Sequence, residues 1–153
     1  MGLRKYTGSA DNTIVSAFQG NLETRGTGSN TGMSDVLETF SIYGRQTATS
    51  SANLASQELA RILISFPVST ISADRTAGTI PASGSVKFYL RMYNAEHSRT
   101  VPENYSLTVQ AVSRSWEEGN GVDLENYKDL TKGNIGSNWM SASKTTAWTH
   151  VGG

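Results

Sequence analysis

Apolar and polar residues alternate in several short stretches of the chain. The clearest is Ser85–Tyr93, SVKFYLRMY, where Val86, Phe88, Leu90 and Met92 fall on one face and Lys87, Tyr89, Arg91 and Tyr93 on the other. Successive side chains on a strand point to opposite faces, so this period of two predicts a β-strand with one face in a core. Thr13–Phe18, Val36–Tyr43, Leu59–Phe66 and Tyr105–Val112 carry the same kind of pattern and are rich in β-branched and aromatic residues. Between them stand turn signals: Arg25–Gly32 (RGTGSNTG), Ala82-Ser83-Gly84 and Glu118-Gly119-Asn120-Gly121. No segment keeps a period of 3.6 over three turns, so no long helix is expected. Gln46–Gln57, QTATSSANLASQ, reads as a surface loop. Short strands at moderate spacing, with no fixed repeat, predict an all-β chain: an antiparallel β-sandwich.

The 153 residues are enough for one domain, taken here as 1–153 with long loops near 25–32 and 45–57. Lys plus Arg is 13 and Asp plus Glu is 13, a balance that predicts no nucleic-acid partner and no polybasic membrane tether. The chain has no cysteine, so neither a disulfide framework nor a thiolate metal site is available to it. The start, MGLRKYTGSADNTIV, lacks the apolar run of a signal peptide, and the longest apolar run, ILISFPV, is far short of a membrane span. A protein made in the cytoplasm and released by lysis, as virus particles are, fits these features.

The order of segments resembles the DNRLRE-type jelly-roll domain, a β-sandwich related to carbohydrate-binding modules. The residues that carry the resemblance are Leu63–Ile71 (LISFPVSTI), Ile80–Tyr93 (IPASGSVKFYLRMY), Leu107–Val112 and then Trp116-Glu117-Glu118-Gly119, with Trp139 and Trp148 where that family keeps later tryptophans. Pro67 stands where the family has Asp, so no role of that Asp carries over. The chain stops at Gly153, before the family's further strands. The resemblance therefore implies a jelly roll that is incomplete at the C-terminus, either as a fragment or because a neighbouring chain supplies an edge. The texture of Ser41–Arg45 and Gly136–Ser143 is also similar to virion proteins of marine tailed phages.

The densest candidate chemistry lies in Ser115–Leu130, SWEEGNGVDLENYKDL, which holds five acids. Glu117 and Glu118 are adjacent, so on a strand they face opposite ways and cannot flank one glycosidic bond as a pair. Asp123, Glu125 and Asp129 are calcium candidates by residue type, but their spacing is not that of an EF-hand loop. The plainer reading is a solvated acidic loop answered by Arg114, Lys128 and Lys132. The two histidines, His97 and His150, are not spaced as metal ligands. GTGSNTG lacks the Gly-Lys-Ser/Thr ending of a phosphate loop and reads as a flexible turn or contact loop. No catalytic set emerges, and no cofactor is expected beyond the calcium alternative.

Tyr89, Tyr93, Trp139 and Trp148 are left as candidates for contact with a partner or a glycan. Core packing is the competing reading for the two tryptophans and for Trp116. The expected function is that of a non-enzymatic virion structural protein, a decoration, tail or fibre component that works through contacts with other virion proteins and copies of itself. The alternative is a carbohydrate-binding module for a surface polysaccharide.

Overall fold

The computed structural model describes residues 2–18, 26–45, 55–96, 98, 104–122 and 135–153, the side chains at 42–45 and 55–58 excepted. The described chain is mostly strand with little helix. It runs β1 (Ala10–Ser16), β2 (Ser41–Arg45), β3 (Ala55–Ser65), α1 (Val68–Thr76), β4 (Ser141–Ser143) and β5 (Thr146–Ala147). Its packing divides it into two compact units where the sequence reading takes one domain. One unit holds Met1–Thr7 and Phe66–Ala111; the other holds Gly8–Ser65 and Val112–Gly153.

The larger unit is built on an antiparallel sheet in the order β1-β3-β2, with Thr13 opposite Ile62 and Ser41 opposite Leu59. β3 is the centre of this sheet because it is the longest strand and pairs along both edges. Adjacent residues of β1 point to opposite faces, and here both faces are covered. Ile14 packs with Leu63, Trp139, Ala142 and Trp148, while Val15 packs with Ala17 and Ala60 on the other side. Complete burial of an isoleucine or valine side chain contributes about 1.5–3 kcal/mol. The small β4–β5 hairpin brings Ala142 and the segment around Trp148 over the Ile14 face. The chain entering β4 is held by Asn138 Oδ1, which accepts the Met140 and Ser141 N–H groups at 2.9 and 2.8 Å.

Three strand expectations match in part. Thr13–Phe18 overlaps β1, Leu59–Phe66 overlaps β3, and the end of Val36–Tyr43 overlaps β2. Residues 46–54 of the expected loop lie outside the described residues, and 55–57 belong to β3.

The smaller unit differs from the expectation. Past β3 and Pro67 the chain turns into the nine-residue helix α1, where no helix was expected. Proline's fixed φ suits a helix entrance, and Arg75 in the last turn complements the negative helix end. The helix has no buried residue, so no apolar stripe announces it. The N-terminal segment is tied to it: Arg4 Nε lies 3.0 Å from Asp74 Oδ2, and the Tyr6 hydroxyl donates to the same oxygen at 2.7 Å. Burial, with the hydrogen bond to Asp74, raises the Tyr6 phenol above its ordinary range.

Ser85–Tyr93 and Tyr105–Val112 are not in a sheet. Their backbone forms no regular secondary structure, and among the described residues no backbone hydrogen bond joins 86–93 or 105–112 to another segment. An isolated strand is not stable; it needs a neighbour to take its N–H and C=O groups. The expected strand and its core face are not formed here: Phe88, Leu90 and Met92 are exposed, and no partner strand stands beside them in the described sheets. Among the described residues of this unit, Ile80 alone is a buried hydrophobic.

Candidate functional site

The acidic stretch that invited a catalytic reading is fastened into the larger unit by backbone contacts. Glu118 Oε1 accepts the Asp11 N–H at 2.8 Å, and Glu117 Oε2 accepts the Lys144 N–H at 3.2 Å. Each carboxylate therefore satisfies a donor of the fold and points away from the other. Burial, and then the charge of Glu118, raises the Asp11 carboxyl above the ordinary aspartate range. The calcium candidates Asp123, Glu125 and Asp129 lie outside the described residues. Among the described residues, no three acidic or histidine side chains are grouped as a metal site.

The centre of this region is Asn30, whose side chain is fully buried. Its Nδ2 donates to the Glu118 and Ser137 carbonyls at 2.7 and 2.8 Å, and its Oδ1 accepts from the Gly32 and Gly121 N–H groups at 3.1 and 2.9 Å. Both donors and both lone-pair positions of the amide are used. Asn12 makes a second such junction, donating to the Ser137 carbonyl and hydroxyl at 2.9 and 2.8 Å and accepting from the Thr31 N–H at 2.8 Å. Four segments distant in sequence thus meet on two asparagines.

Glycine is required where the backbone crosses this junction. At Gly121 an added Cβ would overlap the Asn30 carbonyl oxygen, and Gly119, at φ +87°, sits directly against the Asn30 amide.

This overturns the reading of GTGSNTG as a flexible contact loop. Ser29, Asn30 and Thr31 are buried, because hydrogen bonds from the fold replace the water such polar groups would otherwise keep. Asn30 was missed by sequence reading; the only signal was the density of glycine and asparagine in both 26–32 and 119–121.

The four aromatic candidates separate into two pairs. Trp139 and Trp148 are each 8% exposed and belong to the Ile14 cluster. Trp148 Nε1 donates to the Asn138 carbonyl at 2.7 Å. The Arg61 guanidinium lies 4.9 Å from the centre of the Trp139 ring, and its Nη1 donates to the Gly152 carbonyl. Trp116, half-buried, packs on the same cluster. These rings are committed to the core and have little face left for a sugar or a partner.

Tyr89 and Tyr93, by contrast, are 81% and 76% exposed. They stand in the unbonded segment beside Phe88, Leu90 and Met92, which are exposed too. Arg91 lies over the Tyr93 ring at 4.9 Å. Leu107 and Val109 of the second unbonded segment are likewise in solvent. Among the described residues, the backbone of these two segments has no hydrogen-bond partner in another segment.

An open depression of about 400 Å³ lies elsewhere, lined by Arg114, Ser115, Trp116, Glu117, Ser143 and Thr146. Its charged groups are already engaged, Arg114 with the Ala147 carbonyl at 3.1 Å and Glu117 with Lys144.

No family model, curated protein or solved structure matches the chain. Among the described residues, no helix is long and apolar enough to cross a membrane.

Proposed function

We propose that the chain is a non-enzymatic structural subunit that works by burying Val86–Tyr93 and Tyr105–Val112 against neighbouring subunits. One observation carries this reading. The unit that holds Val86–Tyr93 and Tyr105–Ala111 leaves Phe88, Leu90, Met92, Leu107 and Val109 exposed and, among its described residues, buries Ile80 as its single hydrophobic. A unit of that size with so small a core gains too little from its own burial to offset the entropy of ordering it. A subunit contact supplies the missing burial. Enriched tyrosine, methionine and arginine in the exposed segment is also the composition of interface cores.

The rest of the proposal extends this reading. The described sheets belong to a jelly-roll-type sandwich of the DNRLRE kind, completed by strands from a neighbouring chain. The setting is a virion, as a decoration, tail or fibre component; that part rests on the texture of the sequence alone. The engagement of Glu117 and Glu118 with backbone N–H groups supports a structural role for the acids. The glycan-binding alternative loses Trp139 and Trp148 to the core and retains Tyr89 and Tyr93, which the assembly reading uses equally well.

Sedimentation velocity of the full chain and of a Tyr89→Ser, Tyr93→Ser double variant tests the proposal. Both rings are exposed, so the substitutions leave the fold intact. The wild type sediments as an oligomer that grows with concentration, and the variant dissociates at least tenfold more readily. A wild type that stays monomeric at the highest attainable concentration, and is absent from purified particles, contradicts it.

A further inference from the structure

We infer that Val86–Asn94 pairs antiparallel with the same segment of a second copy, in a register centred on Leu90. The inference rests on the assembly reading above and names the partner and the geometry. A segment that pairs with itself about a two-fold axis must be self-complementary, since each residue meets its mirror position.

Only registers that keep Val86, Phe88, Leu90 and Met92 on one face bury the apolar row. They differ in where they place Lys87 and Arg91. Centred on Tyr89, Lys87 stands opposite Arg91; centred on Arg91, that cation stands opposite its own copy. Like charges directly opposite are destabilising. Centred on Phe88, the ladder runs into the turn at Ser83 and Gly84, where Ser85 N–H already donates to the Ala82 carbonyl at 3.2 Å.

Centred on Leu90, the pairs from Lys87 to Tyr93 fit, and only the end pair sets Val86 against a polar residue, Asn94. Tyr89 meets Arg91, Lys87 meets Tyr93, Phe88 meets Met92, and Leu90 meets Leu90. Each cation of one copy lies across from a tyrosine of the other, an arrangement in which the ring face attracts the charge. Arg91 already adopts this kind of contact within one chain, 4.9 Å over Tyr93.

Two strands alone are marginal in water, and three or more are needed for an independent sheet. Tyr105–Val112, which has no backbone hydrogen bond to another segment among the described residues, supplies the outer strand on each side. The two copies together then form a four-stranded sheet.

The chain has no cysteine, so single introduced thiols report the register directly. Cross-strand partners have Cα atoms about 4.5–5.5 Å apart, within the range a disulfide accepts. Leu90→Cys is expected to give a covalent dimer on mild oxidation. Phe88→Cys mixed with Met92→Cys is expected to give the cross-linked heterodimer. Phe88→Cys alone is expected to give none, because the two thiols are then roughly 13 Å apart along the strands. All three residues are exposed, so the variants fold as the wild type does.

Oligomers that form but cross-link without this preference overturn the register and leave the assembly reading standing. A monomer at every concentration overturns both.

Discussion

Replacing Asn30 by alanine removes the amide on which three chain segments, 30–32, 118–121 and Ser137, converge. Each of its four hydrogen bonds contributes about 0.5–1.5 kcal/mol net, so the loss is about 2–6 kcal/mol. The upper half of that range is favoured because the Glu118 and Ser137 carbonyls and the Gly32 and Gly121 N–H groups are left facing a small cavity. A domain of this size has about 5–15 kcal/mol in total, so a loss near 4 kcal/mol is a large share of it. Urea unfolding read by tryptophan fluorescence is the assay, since Trp116, Trp139 and Trp148 all report on the Ile14 cluster of the same unit. With a slope of about 2 kcal/mol/M, the midpoint falls by about 2 M. Asn30→Leu separates hydrogen bonding from volume. It fills the space, makes none of the bonds, and is expected to be no better than alanine. A midpoint shift below about 0.5 M for alanine at unchanged slope, or recovery by leucine, refutes the account of this junction.

Two further outcomes follow from the same region. Gly121→Ala drives a Cβ into the Asn30 carbonyl and is expected to cost about 1–3 kcal/mol or more in the same urea assay, with wild-type stability as the contrary result. Asp11→Asn tests the raised carboxyl. The folded state binds that proton more tightly than the unfolded chain, so the group's contribution is fully present below its unfolded pKa and is lost as pH rises through the folded value. The melting temperature of the variant relative to wild type is therefore expected to rise from about pH 3 to pH 7; a difference that is flat with pH contradicts the assignment.

β1 and β3 were readable because their alternation describes strands that pair with each other inside the chain. Val86–Tyr93 carries an equally clear alternation, yet forms no ladder among the described residues. Periodicity states which residues share a face once a strand is paired, and it is silent on whose backbone completes the pairing. Helix α1 escaped notice because nine residues without an apolar stripe leave no period to read. The role of Asn30 was out of reach for a different reason. Two of its partners, Glu118 and Ser137, lie 88 and 107 positions away, and a polar residue in a glycine-rich turn looks solvated until those partners are placed. Trp139 and Trp148 were left open between core and contact because tryptophan serves both. Their neighbours Ile14 and Leu63 decide for the core. Tyr89 and Tyr93 were singled out by falling opposite Phe88 and Leu90 in the alternation. The structure exposes both faces of that segment, so the proposed contact surface is wider than the two rings.

The central claim is that Val86–Tyr93 and Tyr105–Val112 become sheet only in contacts between subunits. Amide hydrogen exchange of the full chain, followed by mass spectrometry over a range of protein concentrations, tests it most directly. Peptides covering 86–93 and 105–112 are expected to exchange at once in dilute solution, where their N–H groups have no backbone acceptor in another segment among the described residues, and to become protected as concentration rises. Peptides from β1 and β3 serve as the internal reference and stay protected throughout. Rapid exchange of 86–93 and 105–112 at concentrations where the chain is plainly oligomeric would contradict the account.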